Sequence, residues 1–207
     1  PLMLAWYFQR NEAVLRARHF MIGGVMLLVP FLLILRQPDL GTALMLGVSG
    51  FYLLFFAGLP WKVILGGAVL GAASLPVAWG LMHDYQQKRV LMLLDPASDP
   101  LGAGYHIIQS TIAIGSGGLF GKGWMQGTQN QLDFIPERTT DFIYAVFGEE
   151  FGYVGTVLLV CLYLAIIARG LVIAARAPTQ FGRLMAATLS LNLFTYVFVN
   201  MGMVSGI

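Results

Sequence analysis

Apolar residues run almost unbroken over 20–35, 39–58, 61–82, 142–168 and 181–204, and polar residues collect in the connections between these runs. Each run is close to the ~20 residues that an α-helix needs to cross ~30 Å of hydrocarbon. Residues 1–8 read as the end of a further helix. The pattern therefore predicts an all-α fold, a polytopic transmembrane helix bundle with five complete spans and one partial span. Residues 1–207 form a single membrane domain in this reading, with a long, partly helical loop at 83–140.

Alternating the spans across a bilayer places Arg10, Arg16, Arg18, Lys62, Arg169, Arg176 and Arg183 in the connections on one face, with Glu12 the acid among them. Short basic connections belong on the cytoplasmic side. The opposite, exoplasmic face receives the Gln37–Asp39 turn and the long loop. Proline disfavours helix at Gln37, and Asp39 is suited to cap the next helix through a free amide. Asp39 either serves only as that cap or also faces a reaction site at the membrane surface. Gly66, Gly67 and Gly71 recur along the third complete span, where small residues let helices approach closely.

The loop is too long for a simple linker and too apolar for disorder. Within it, DYQQKRVLMLLDP at 84–96 predicts a short amphipathic helix at the bilayer surface, with Lys88 and Arg89 on its polar flank. Tyr105–Ile114 predicts a second short helix, and Gly115–Gly123 a glycine-rich turn. Glycines at 115, 117, 118, 121 and 123 let backbone amides converge, and Lys122 adds a cation. That combination suits a phosphate or pyrophosphate, and it equally suits a plain series of tight turns.

Acidic residues concentrate at one place. Asp133, Glu137, Asp141, Glu149 and Glu150, five of the ten in the chain, lie between Gln131 and Gly155. A charge at the centre of a membrane helix costs roughly 2.5 to 3.5 kcal/mol, so such a cluster at a span entrance calls for a reason. Thr139 and Thr140 are good helix caps, which would place Asp141 in the first helical turn. Tyr144, Ala145, Gly148, Glu149, Gly152 and Gly155 would follow it along one face. Asp141 reads either as a helix cap or as a catalytic base. Glu149 and Glu150 read as helix-packing groups or as partners of a buried cation.

Composition narrows the chemistry. The chain is 57% hydrophobic and 11% charged, against about 25% charged in a soluble domain, with a mean hydropathy of +0.75. A formal charge of +2 with dispersed basic residues gives no reason to expect nucleic acid. Cys161 has no partner for a disulfide and reads as a small apolar residue. His19, His83 and His106 lack zinc-site spacing, and no GxSxG elbow is present. A carboxylate acting alone, or with an oxygen-liganded divalent ion, is the chemistry left. The chain opens at Pro1 without a leader and stops at Ile207 directly after an apolar run, so a piece of a longer protein is expected.

Four stretches carry a family resemblance: QPDLGTA at 37–43, YQQKRVLMLLDPASDPLGAGYHIIQSTIAIGSGG at 85–118, GKGWMQGTQNQLDFIPERTTDFIYAVFGEEFGYVG at 121–155 and NMGMVSGI at 200–207. Together they resemble the SEDS family of bacterial membrane glycosyltransferases, the RodA and FtsW proteins. GKGW followed by GTQ is nearer the RodA branch, which serves cell elongation. The family's TDFIF stands here as TDFIY. The resemblance covers nearly the whole chain, but the family has more transmembrane helices than this chain holds.

The resemblance implies polymerisation of lipid II into a β-1,4 glycan strand in the bacterial inner membrane, with the active site on the exoplasmic face. Asp141 would take a proton from the acceptor 4-hydroxyl while that oxygen attacks C1 of the donor, and undecaprenyl pyrophosphate would leave in a single inverting step. It further implies substrate contacts among Asp39, Lys88, Arg89, Gln109, Ser110, Lys122, Gln129, Glu137, Arg138 and Thr140, with a magnesium or manganese ion as an optional aid. A class B penicillin-binding protein and other elongation-complex membrane proteins are the implied partners. Two other readings remain: a transporter of the lipid-linked precursor, suggested by helices carrying acids and by Asn192 and Asn200 in the last span, and a scaffold for the transpeptidase.

Overall fold

A computed structural model of the chain describes residues 1–12, 16–37, 39–82, 87, 91, 103–128 and 141–206. Regular structure among them is helical: α1 (Leu2–Arg10), α2 (Ala17–Arg36), α3 (Leu40–Phe56), α4 (Trp61–Leu81), α5 (Ala103–Ser116), α6 (Ile143–Arg176) and α7 (Gln180–Ser205). The fold is an all-α membrane helix bundle, and the five apolar runs correspond to α2, α3, α4, α6 and α7. Of these, α2, α6 and α7 are long and apolar enough to cross a membrane. α3, at 17 residues, rises to roughly 25 Å at 1.5 Å per residue, the lower edge of a span. The expected amphipathic helix at 84–96 lies outside the described residues except for Gln87 and Leu91, both helical. The second short helix is present as α5.

The chain divides into two compact units, Pro1–Leu81 with Ala165–Phe194, and Met82–Leu164 with Thr195–Ile207. In the first, Leu4, Ala5 and Phe8 of α1 join Leu53, Ala57 and Leu184 in one buried cluster, with Phe20, Leu27 and Leu54 against it. Lipid tails are as apolar as these side chains, so close packing rather than the hydrophobic effect holds such helices together. The start of α3 is capped as the sequence predicts, and Pro38 lies outside the described residues. Asp39 Oδ1 accepts the Thr42 amide at 3.1 Å, capping α3. A polar tie adds to the packing where Asn192 Nδ2 of α7 donates to Ser49 Oγ of α3 at 2.8 Å.

Glycines in this unit do not act where the spacing pointed. Among the described residues nothing lies within 4 Å of a Cβ placed at Gly66, Gly67 or Gly71. Close approaches occur instead at Gly23, where a Cβ would press on Phe8 and Leu54, at Gly47 against Phe31, at Gly50 against Leu27 and at Gly170 against the Ser190 hydroxyl. Helix contact in this unit runs through α1, α2 and α3 and on to α7 at Leu184 and Asn192, whereas among the described residues these glycines of α4 face open space.

Candidate active site

The second unit is built around a break in α6. Gly152 has φ 66° and ψ −165° within an otherwise helical run, a region of backbone space that is essentially glycine-only. A break at residue 152 removes the i to i−4 bonds that would join Tyr153 to Glu149 and Val154 to Glu150. The glycine-rich turn fills both gaps. The Glu149 carbonyl accepts the Lys122 amide and the Glu150 carbonyl accepts the Gly123 amide, each at 3.0 Å. The Tyr153 amide donates to Gly118 O at 2.9 Å and the Val154 amide to Leu119 O at 3.1 Å. Four backbone groups that the break deprives of a helical partner are thus paired.

This docking explains the glycines. A Cβ at Gly117 would run into the Gly148 carbonyl, one at Gly121 into the Glu150 carbonyl, and one at Gly152 into the Gly121 amide. The amides of Gly117, Gly121, Lys122 and Gly123 all donate to carbonyls of the chain. For these four amides the geometry is that of tight turns, one of the two readings of the segment.

One side-chain cluster reinforces the contact. Glu149 is fully buried, and its Oε1 lies 2.7 Å from Lys122 Nζ. Thr128 Oγ1 stands 2.8 Å from that amine and 3.0 Å from the same carboxylate oxygen. Glu149 is therefore a buried carboxylate paired with a cation, one of the two roles its position suggested. Lys122, expected to meet substrate, is turned inward to Glu149. Trp124 packs its ring against Phe151 at 5.7 Å, adding an aromatic contact between turn and helix.

Asp141 stands in the turn ahead of α6 with its side chain exposed. Helical bonding begins at Phe142, whose carbonyl accepts the amides of Ala145 and Val146. Asp141 is therefore not in the first helical turn but just before it. Phe142 and Ala145 are buried with Ala113 of α5 and Val204 of α7. The Asp141 carbonyl accepts Asn200 Nδ2 of α7 at 2.8 Å, so the backbone that leads from Asp141 into α6 is held while the residue itself is exposed. The face beginning at Tyr144 continues through Ala145, Gly148 and Glu149 and ends at the Gly152 break. Gly155 lies beyond it.

The other predicted contacts separate. Ser110 is fully buried and its hydroxyl reaches the carbonyls of Ile107 at 2.8 Å and Val204 at 2.9 Å. It ties α5 to the end of α7 and has no surface to offer substrate. Gln109 is half-buried beside it on α5. Asp39 is an exposed cap of α3 in the first unit. Lys88, Arg89, Gln129, Glu137, Arg138 and Thr140 lie outside the described residues.

The sequence profile of the FTSW_RODA_SPOVE family, described as cell cycle protein, matches residues 1–207. The chain belongs to this family. It is 58% identical to the peptidoglycan glycosyltransferase MrdB of Escherichia coli strain K12, over 208 aligned residues that take in 100% of the chain and 56% of MrdB. It is 40% identical to the probable peptidoglycan glycosyltransferase FtsW of Geobacter metallireducens, over 185 residues, 88% of the chain and 48% of that protein. A chain of a solved peptidoglycan synthase complex, studied for the structural coordination of polymerization and crosslinking, matches with a TM-score of 0.77 at 35% identity. The match covers 99% of this chain and 56% of that one. This FTSW_RODA_SPOVE chain thus spans about half the length of the curated relatives it matches. Its higher identity to MrdB, the RodA of E. coli, than to FtsW agrees with the reading of GKGW and GTQ.

Sequence reasoning missed three parts of this family member's site. Asn200 was weighed as a polar group on a transport path, yet it clasps the Asp141 carbonyl, just as Asn192 clasps Ser49. Asn200 ties α7 to the turn before α6 and Asn192 ties it to α3, so the transporter reading loses one of the two observations that motivated it. Thr128 carried no signal beyond its place after GKGW. The Gly152 break was hidden inside the run at 142–168, where apolar residues resume directly after Glu149 and Glu150.

Proposed function

We propose that this chain carries the catalytic carboxylate of a peptidoglycan glycosyltransferase that polymerises lipid II by inversion. The observation that carries the reading is Asp141: an exposed carboxylate whose own carbonyl is pinned by Asn200 and whose next residue is buried, in a chain of this family. A base is useful when its backbone is fixed and its oxygens are accessible.

In the proposed step an Asp141 oxygen accepts the proton of the acceptor sugar's 4-hydroxyl. The oxygen's electron pair forms the bond to C1 of the donor, and the C1–O bond to pyrophosphate breaks with its electrons leaving on undecaprenyl pyrophosphate. The α linkage becomes β in one displacement, so no covalent sugar intermediate forms. A positioned base contributes about 10² to 10⁴ in rate, or roughly 3 to 5 kcal/mol. The remainder falls to orientation of the two lipid-tethered sugars and to charge at the leaving pyrophosphate. Lys88, Arg89 and Arg138 are the proposed cations for that charge. Lys122 is not, because Glu149 already holds it.

A magnesium or manganese ion is a compatible aid. Among the described residues no three of His, Cys, Asp and Glu come together, and Asp141 offers one carboxylate. Magnesium commonly takes one or two carboxylates and completes its shell with phosphate oxygens and water, which fits a pyrophosphate-bearing substrate. The proposed setting is the exoplasmic face of the inner membrane, beside a class B penicillin-binding protein and the other membrane proteins of the elongation complex.

The decisive experiment is Asp141→Asn in the full-length protein, assayed for polymer from purified labelled lipid II with and without chelator. Loss of polymer with retained folding and insertion is expected. Polymerisation at the wild-type rate would remove Asp141 as the base.

A further inference from the structure

The part of α6 next to Asp141 is mechanically separate from the rest. The 34 residues of α6 would make roughly 50 Å of unbroken helix at 1.5 Å per residue, well past ~30 Å of hydrocarbon. The break at Gly152 divides it, so the orientation of residues 143–151 is not inherited from the long apolar helix through continuous backbone bonding. What fixes that short piece is lateral: the core of Phe142 and Ala145 at its start, the Asn200 bond to Asp141 O, and at its end the turn 117–123. The strongest single contact at that end is Glu149, without exposed surface and 2.7 Å from Lys122 Nζ. Lys122 is bound to Glu149 twice, through its amide to the Glu149 carbonyl and through its amine to the carboxylate. Buried charge-assisted bonds are short and directional, and removing one partner leaves the other charge uncompensated.

We infer that Lys122 and Glu149 are a positioning pair: they lock the short helix 143–151 so that the turn at its head presents Asp141 to substrate. The inference rests on the reading of Asp141 as the base. Neither residue touches substrate. Their effect is on the fraction of molecules in which Asp141 is correctly placed, and hence on turnover rather than on substrate affinity.

The test uses full-length protein whose native cysteines, Cys161 included, are replaced by serine. Misplacement of a reacting group by about 1 Å costs up to 10²-fold, so Lys122→Met is expected to lower kcat for lipid II polymerisation about tenfold or more while KM stays within about threefold. Lys122→Arg, which keeps a cation at the carboxylate, is expected to restore most of kcat. If Lys122→Met does not fold, Glu149→Gln carries the test, because it keeps an acceptor for Lys122 and removes only the charge. A smaller fall in kcat, again without a change in KM, is expected.

A second readout needs no activity. Cysteines at 141 and 200, joined by a short bifunctional thiol reagent, report whether the turn stays beside α7, and Lys122→Met is expected to slow that cross-link several-fold. Unchanged kcat in both Lys122→Met and Glu149→Gln, or an unchanged cross-linking rate, overturns the assignment. Asp141→Asn is measured in parallel. If it polymerises normally while the cross-link still slows, the base reading falls and the clamp stands. If it is inactive while Lys122→Met and Glu149→Gln both keep full kcat, the clamp falls alone.

Discussion

Two glycine-bearing regions of this chain look alike in sequence and behave oppositely in the structure. α4 carries Gly66, Gly67 and Gly71 in an apolar helix, a pattern that ordinarily marks close helix packing, yet nothing described lies within 4 Å of their Cβ positions. The turn at 117–123 reads as a phosphate site or a series of tight turns, and Gly152 as one small residue on a helix face. There, added methyl groups would strike backbone atoms at Gly117, Gly121 and Gly152. Backbone cannot swing aside as a side chain can. A glycine is required by what stands opposite it and by its dihedral angles, and spacing along one helix reports neither.

The comparison breaks most sharply at Gly152. Gly152→Ala combines a positive φ, at a strain of about 1 to 3 kcal/mol, with overlap against the Gly121 amide and the Leu119 and Phe120 carbonyl carbons. Overpacking of this kind costs a further 1 to 3 kcal/mol or so. Expected is loss of folded full-length protein, or a purified variant with a strongly lowered thermal midpoint in detergent and little polymerising activity. A variant with wild-type stability would show that the break is dispensable and that α6 can run straight.

An intermediate effect is expected where the obstacle is a side chain. A Cβ at Gly50 meets Leu27 Cδ1, Cδ2 and Cγ, atoms that can move at some expense in rotamer and packing. Gly50→Ala should lower stability by about 1 kcal/mol, and adding Leu27→Ala should remove most of that increment, a coupling that a double-mutant cycle reads directly. Additive losses would mean that α2 and α3 part as bodies instead of yielding locally at Leu27.

The same distinction accounts for what was legible in the sequence. The apolar runs at 61–82 and 181–204 became α4 and α7 with shifts of a residue at the ends, because a span is a local property of length and hydropathy. Asp39 was legible as a cap, since its acceptor and the Thr42 amide lie three residues apart. Asp141 was legible as a carboxylate at a span entrance, although the helix starts slightly later than the threonines suggested. The break at Gly152 was not, because hydropathy runs on through Phe151, Tyr153 and Val154 and the groups that stabilise the gap come from residues 118–123. The salt bridge was half legible: burial of Glu149 called for a cation, but nothing local named Lys122.

The smallest expected effect sharpens the comparison from the other side. With open space at its Cβ position, Gly66→Ala adds a methyl group without a clash and replaces a poor helix former by the best one. Ala in a helix interior is favoured over Gly by about 0.8 to 1 kcal/mol in water. Gly66→Ala in the full-length protein should therefore leave the thermal midpoint unchanged or raise it slightly, with polymerisation unaffected. A marked loss of stability would mean that another helix of the longer protein packs on this face of α4. Gly66 would then join Gly121 and Gly152 as a glycine required by its neighbour, and the contrast between the two regions would reduce to which neighbours lie within this chain.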